Sequence, residues 1–222
     1  MVEPSSPPTH VIFDLDGVLL DTEPLYTLAT QAIARRYGKT FDWSVKGNMI
    51  GRGTMDAAGY LVAALGLPMS AEQYLAERDS TLRTLFPGAA EIPGAEAFTR
   101  GLHERGVGLA VATSTDRALF ELKVERRRAW FSIFSVVVCG DDPRLGRGKP
   151  DPQIFLIAAG DVGADPACCL VFEDSPAGVM AARAAGMRVV AMPDPHMDLD
   201  CYPDADLVIR SFGECSLARF GF

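Results

Sequence analysis

The sequence predicts an α/β fold: a parallel sheet covered by helices on both faces, with an all-helical unit inserted into it. Two observations predict this. Short apolar runs alternate with amphipathic helical patterns along most of the chain, and one long interval after the first run keeps a helical period without any convincing strand.

The first run is Val11 to Phe13, and it ends in two carboxylates, Asp14 and Asp16. Further runs follow at Val107 to Ala112, Val136 to Cys139, Leu170 to Phe172, Val189 to Met192 and Leu207 to Ile209, with helical patterns such as Ala95 to Arg105, Pro152 to Ala159 and Pro176 to Ala185 between them. Parallel strands need such crossovers, and these should be right-handed. The stretch between Phe13 and Val107 is too long for one crossover. It reads as helices at Pro24 to Tyr37, Trp43 to Met49, Thr54 to Leu65 and Ala71 to Phe86, the last opened by a capping-box pattern from Ser70 to Gln73. The expected organisation is a discontinuous core of residues 1–25 and 88–222 and a helical insert of residues 26–87. Its hinges would be the segment after Asp21 and the Pro- and Gly-rich PGAAEIPGA from Pro87 to Ala95.

Composition narrows the function. The 222 residues are 48% hydrophobic and 23% charged, which suits a globular protein with a sizeable core. A formal net charge of -8 repels polyanions, so neither nucleic acid nor an anionic membrane is an expected partner. No apolar run approaches the roughly 18 residues of a membrane span. The opening MVEPSSPPTH lacks the basic start and apolar middle of a secretory signal, and Cys139, Cys168, Cys169, Cys201 and Cys215 contain no C-x-x-C pair. A cytoplasmic protein with reduced thiols is expected, and its length allows a monomer.

Ligands of open parallel sheets bind beyond the carboxyl ends of the strands. Asp14 and Asp16 close the first strand, Thr113 and Ser114 follow the second, Lys149 lies in GKPDP after the third, and Glu173 and Asp174 end LVFED, the fourth. Buried carboxylates are costly unless a cation offsets them. Oxygen donors with no nearby His or Cys suit Mg2+ better than zinc. A carboxylate beside such an ion can attack phosphorus, while Lys149 and the Thr113 hydroxyl hold the other phosphoryl oxygens.

In their order along the chain, DLDGVLLDTE, VATS, GKPDP and FEDSPAGVMAARAAG resemble the haloacid dehalogenase superfamily of phosphohydrolases over nearly the whole chain. The resemblance implies a Rossmann-like core with a mobile helical cap. It implies that Asp14 is the nucleophile and that Asp16 protonates the leaving oxygen and then activates water, with Thr113 and Lys149 binding the phosphoryl group. It further implies Mg2+ held by the Asp14 carboxylate, the Asp16 carbonyl and Asp174, with Glu173 at the metal site. In dehalogenases proper the second aspartate is missing, so Asp16 favours phosphoryl chemistry. GLPMSAEQYLAERDSTLRTLFPGAAEIPGAE and GDDPRLGRGKPDPQIF are similar to eukaryotic pseudouridine-5'-phosphatases and plant glycerol-3-phosphatases, and KTFDWSVKGNMIGR to the plant members. The expected activity is phosphomonoester hydrolysis on a small phosphorylated metabolite. Phosphosugar mutases resembling beta-phosphoglucomutase carry a cap-side histidine where this chain has Tyr26, and a non-catalytic relic would be expected to lose an acid or the lysine.

Simpler readings compete at several positions. An Asp pair after a strand is often a turn or a helix cap, and Thr113 and Ser114 suit the cap of a helix beginning near Asp116. Glu173 and Asp174 suit the start of the helix near Pro176. Arg52, in the GRG of Gly51 to Gly53, is either part of a turn or a substrate contact, and Thr54 is its neighbour in the insert. The basic run Arg126 to Arg128 reads as a solvated face, and His10, His103 and His196 have no metal spacing.

Overall fold

The computed structural model describes residues 7–49, 54–215 and 218. The chain divides into two compact units, one formed by the chain up to Asp21 and from Ala90 onward, the other by Thr22–Ala89. In chain order, β1 (His10–Phe13) and β2 (Leu20–Asp21) open the first unit, and α1 (Glu23–Arg36), α2 (Trp43–Lys46), α3 (Thr54–Leu65) and α4 (Ala71–Leu85) build the second. The first unit then resumes with β3 (Ala90–Glu91), α5 (Ala95–Glu104), β4 (Gly108–Ala112), α6 (Arg117–Val124), α7 (Arg128–Phe131) and β5 (Val136–Val138). It is completed by α8 (Gln153–Asp161), β6 (Cys169–Glu173), α9 (Pro176–Ala184), β7 (Arg188–Ala191) and β8 (Leu207–Val208).

All six apolar runs are strands of one sheet, in the order β5-β4-β1-β6-β7-β8, and every pair is parallel. Val11 of β1 lies opposite Leu109 on one side and Leu170 on the other. The strand order therefore runs outward in both directions from β1, and its carboxyl end is the switch point where such sheets bind ligands. Side chains alternate between the two faces because the strand period is two. Val11 and Phe13 join Leu109, Val111, Leu170 and Phe172 in one apolar cluster, and Ile12, Ala110, Val171 and Val189 join another with residues of α8 and α9. Phe13 stacks on Phe172 at 5.1 Å, and Phe98 of α5 meets Phe172 edge-on at 5.3 Å. Burial of each such side chain contributes about 1.5–3 kcal/mol. With bulk on one face and alanines of α8 and α9 on the other, β1 is fixed in the middle of the core.

The two-residue strands β2 and β3 were not expected. They pair antiparallel, Leu20 opposite Glu91 and Asp21 opposite Ala90, so the chain leaves and re-enters the first unit side by side.

The helical unit has its own core of Ile33, Ala34, Phe41, Ala58, Leu61, Leu65, Leu67 and Tyr74. The capping box of α4 forms: Gln73 N–H donates to Ser70 Oγ at 3.2 Å and Ser70 N–H to Gln73 Oε1 at 2.8 Å. Two helices are shorter than expected. α2 ends at Lys46, where turns take over, and α4 ends at Leu85 because Pro87 has no N–H to continue it; Phe86–Gly88 form a tighter 3-10 turn. Among the described residues, no helix is long and apolar enough to cross a membrane.

Candidate active site

The carboxyl ends of β1, β4 and β6 and the loop after β5 enclose a cavity of about 180 Å³ in the first unit. Asp14, Asp16, Thr113, Ser114, Lys149, Glu173 and Asp174 all line it, and Ser175 joins them. Arg52 lies outside the described residues, while Thr54 lines a different groove, within the helical unit.

Lys149 is the centre of the cavity's hydrogen bonding. Its Nζ donates to Asp14 Oδ1 at 2.5 Å, to Glu173 Oε1 at 2.5 Å and to the Ala112 carbonyl at 3.1 Å. The loop that carries it is pinned by Arg144, which pairs with Asp142 and Asp161 at 2.8 Å, and by Gln153, whose Oε1 accepts from Gly146 N–H at 2.7 Å and whose Nε2 donates to the Arg144 carbonyl. Burial opposes the charge on Lys149, yet the facing Asp14 and Glu173 hold its pKa above the ordinary lysine value.

The acids are strongly perturbed. Burial, assisted by the charges of Glu173 and Asp16 and opposed by Lys149, raises Asp14 to about 7. Burial, then Glu173 and Asp14, raise Asp174 well above the usual carboxylate range. Asp174 packs against the backbone at Gly17, which is left-handed at φ +79°, and a Cβ there would lie 2.3 Å from Asp174 Oδ2. Glycine is therefore required where DLDG turns. From below, Tyr202 Oη donates to the Asp174 carbonyl at 2.6 Å.

Two carboxylates are committed to protein partners. Glu173, expected at the metal, accepts from Lys149 Nζ through Oε1 and from Ser175 N–H at 2.9 Å and Ser175 Oγ at 3.0 Å through Oε2. The Asp16 carboxylate accepts from Lys123 Nζ at 2.7 and 2.8 Å and from Thr115 Oγ1 at 2.7 Å.

Among the described residues, no group of three or more His, Cys, Asp or Glu side chains is spaced to grip a metal alone. Mg2+ does not require one, since it keeps several waters and binds through one or two carboxylates plus substrate oxygens. The donor set fits. Four carboxylates, Asp14, Asp16, Glu173 and Asp174, line the cavity, where among the described residues Lys149 pairs with Asp14 and Glu173 and Lys123 with Asp16, and burial together with neighbouring acids raises the pKa of Asp14 and Asp174.

The helix-cap readings resolve in favour of other residues. Asp116 caps α6, its carboxylate accepting from Leu119 N–H, and Ser175 caps α9. Thr113 is almost fully buried, and its Oγ1 accepts from Thr115 N–H at 3.1 Å. Sequence reasoning missed Thr115, Lys123, Ser175 and Tyr202. Only Thr115 and Ser175, adjoining VATS and LVFED, had a signal that could have found them.

The helical unit holds an open groove of about 310 Å³, lined by Tyr26, Thr27, Thr30, Phe41, Tyr74 and Arg78 together with Glu23, Lys46 and Thr54. Tyr74 Oη and Thr30 Oγ1 share a hydrogen bond of 2.8 Å, and the Arg78 guanidinium lies 5.6 Å from the Tyr26 ring and 5.8 Å from the Tyr74 ring.

Comparison with known proteins gives this arrangement a family. (DL)-glycerol-3-phosphatase 2 of Arabidopsis thaliana is 45% identical over 218 residues, 96% of this chain and 91% of the relative. A Drosophila melanogaster protein named "Probable pseudouridine-5'-phosphatase" is 43% identical over 216 residues, 96% of this chain and 94% of its own. A HAD family hydrolase from Deinococcus radiodurans, solved with bound phosphate and sodium, superposes with a TM-score of 0.82 at 26% identity, covering 97% of both chains. The model of the haloacid dehalogenase-like hydrolases matches residues 8–186, and with the sheet order and the clustered acids this chain belongs to that family.

Proposed function

We propose that this hydrolase cleaves phosphomonoesters of small metabolites through a phosphorylated Asp14, with Mg2+ as its cofactor. The observation that carries the reading is Asp14 itself, a buried carboxylate at the end of the central strand, held by Lys149 at 2.5 Å beside Asp16 and Asp174. Asp14, Asp174 and the Asp16 carbonyl would hold the ion, which when bound screens the repulsion between a carboxylate and phosphoryl oxygens. Lys149 and Thr113 orient the phosphoryl group. An Asp14 oxygen attacks phosphorus, the bond from phosphorus to the ester oxygen breaks, and the departing oxygen takes a proton from Asp16. In the second half, Asp16 accepts a proton from water as that water attacks phosphorus, releasing phosphate and restoring Asp14.

The helical unit acts as the cap, where the choice of substrate is made, and it carries the groove lined by Tyr26, Tyr74 and Arg78. Aromatic rings, a guanidinium and hydroxyls suit a nucleoside, and the groove is far roomier than a three-carbon triol requires. Pseudouridine 5'-phosphate is accordingly the first candidate substrate, supported by the Drosophila relative, and glycerol 3-phosphate the second, supported by the Arabidopsis one. Tyr26, standing where the mutases carry a histidine, supports hydrolysis over isomerisation. The free thiols of Cys139, Cys168, Cys169 and Cys201 support a cytoplasmic location. Asp14→Asn should abolish phosphate release from both substrates in the presence of Mg2+, and undiminished turnover would refute the proposal. Comparing kcat/KM across phosphorylated metabolites ranks the substrates.

A further inference from the structure

Lysine is almost never fully buried unless paired, and Lys123 is fully buried. It sits on the inward face of α6 with Phe120 and Val124, and its Nζ reaches both oxygens of Asp16, at 2.7 and 2.8 Å, and Thr115 Oγ1 at 2.8 Å. Thr115 Oγ1 in turn donates to Asp16 Oδ2 at 2.7 Å. Asp16, 29% exposed, lines the cavity, whereas Lys123 has no exposed surface with which to touch a substrate.

We propose that Lys123, with Thr115, is a positioning residue that fixes the orientation of the Asp16 carboxylate toward the leaving oxygen. The inference rests on the reading of Asp16 as the acid and base of the reaction. Three charge-assisted or hydroxyl contacts on a single carboxylate remove its side-chain freedom, and proton transfer depends on that placement before anything else. Removing one partner of a buried ion pair is costly because the other charge is left uncompensated, a cost that shrinks when that charge can still reach water. Asp16 can, so Lys123→Met separates the two roles.

The test measures kcat/KM of Lys123→Met, Asp16→Asn and the double variant with Mg2+. The substrates are the better of pseudouridine 5'-phosphate and glycerol 3-phosphate, and p-nitrophenyl phosphate, whose leaving group needs little protonation. Lys123→Met should melt cooperatively and lose about tenfold or more on the alkyl ester, with a clearly smaller loss on the aryl ester. Combined with Asp16→Asn it should add almost nothing. Thr115→Val, which keeps the shape of the side chain, should show the same dependence on leaving group in milder form, and it decides the matter if Lys123→Met does not fold. Unchanged kcat/KM in the folded variants, equal losses on both esters, or losses that add to that of Asp16→Asn would overturn the proposal. Full activity of Asp16→Asn would overturn the reading of Asp16 and this inference together, whereas an impaired Asp16→Asn beside an unimpaired Lys123→Met would sink only the inference.

Discussion

The backbone of Gly178 lies so close to Glu173 that a Cβ there would sit 1.9 Å from the carboxylate carbon. The contact brings the first turn of α9 down onto a carboxylate that Lys149 and Ser175 hold through its two oxygens. The glycine in DSPAG is thus explained by the approach of a helix to a charged side chain.

Gly178→Ala should therefore displace Glu173 and, through it, Lys149. Forcing a methyl into this packing is expected to cost about 1–3 kcal/mol. Thermal unfolding should show a lowered midpoint, and kcat/KM for phosphate release should fall with it. An alanine variant with native melting and native kinetics would mean that Glu173 has room the geometry denies it.

Lys149→Met probes the same contacts from the other side. Asp14 and Glu173, 6% and 1% exposed, would lose the ammonium between them, and breaking a buried pair by removing one partner typically costs about 3–5 kcal/mol. Activity should vanish. The stability loss should be partly reversed by acid, which protonates the stranded Asp14, so denaturant midpoints measured at several pH values should move toward those of the parent as pH falls. A pH-independent difference would contradict the assignment.

Arg144 is the exposed staple of the loop that carries Lys149. Its hydrogen bonds hold the Asp142 carboxyl at about 2, well below the ordinary 3.8. A depressed folded-state pKa contributes stability above the unfolded value, and that contribution is lost as pH falls from about 4 toward 2. The arginine is half exposed, so screening keeps the effect small. Arg144→Ala should lower the melting temperature slightly at neutral pH and not at pH 2, and it should raise KM more than it lowers kcat. A deficit that grows in acid would have the wrong sign.

The legible parts of this molecule are those written in local pattern. Val11 to Phe13 and Leu170 to Phe172 read as buried strands because both faces of the sheet are covered, and the acids and the lysine could be assigned to one edge because strand ends in a parallel sheet share a crevice. Pairings between distant segments could not be read. Lys123 and Asp16 are 107 positions apart, and nothing in an amphipathic helix says which of its polar side chains turns inward. Glu173 reads as a metal ligand because it adjoins Asp174, and its hydrogen bond to Lys149, 24 positions away, could not be read from the strand pattern. β2 and β3 are too short to carry a period at all.

The central claim is that an oxygen of Asp14 becomes bonded to phosphorus. Acid-quenched single turnover with Mg2+ and the preferred phosphomonoester, followed by mass spectrometry of the peptide containing residues 11–23, tests it most directly. The account predicts a transient phosphoryl adduct on Asp14 that forms before free phosphate and decays into it. Free phosphate accumulating at the full single-turnover rate with no adduct on that peptide would contradict it.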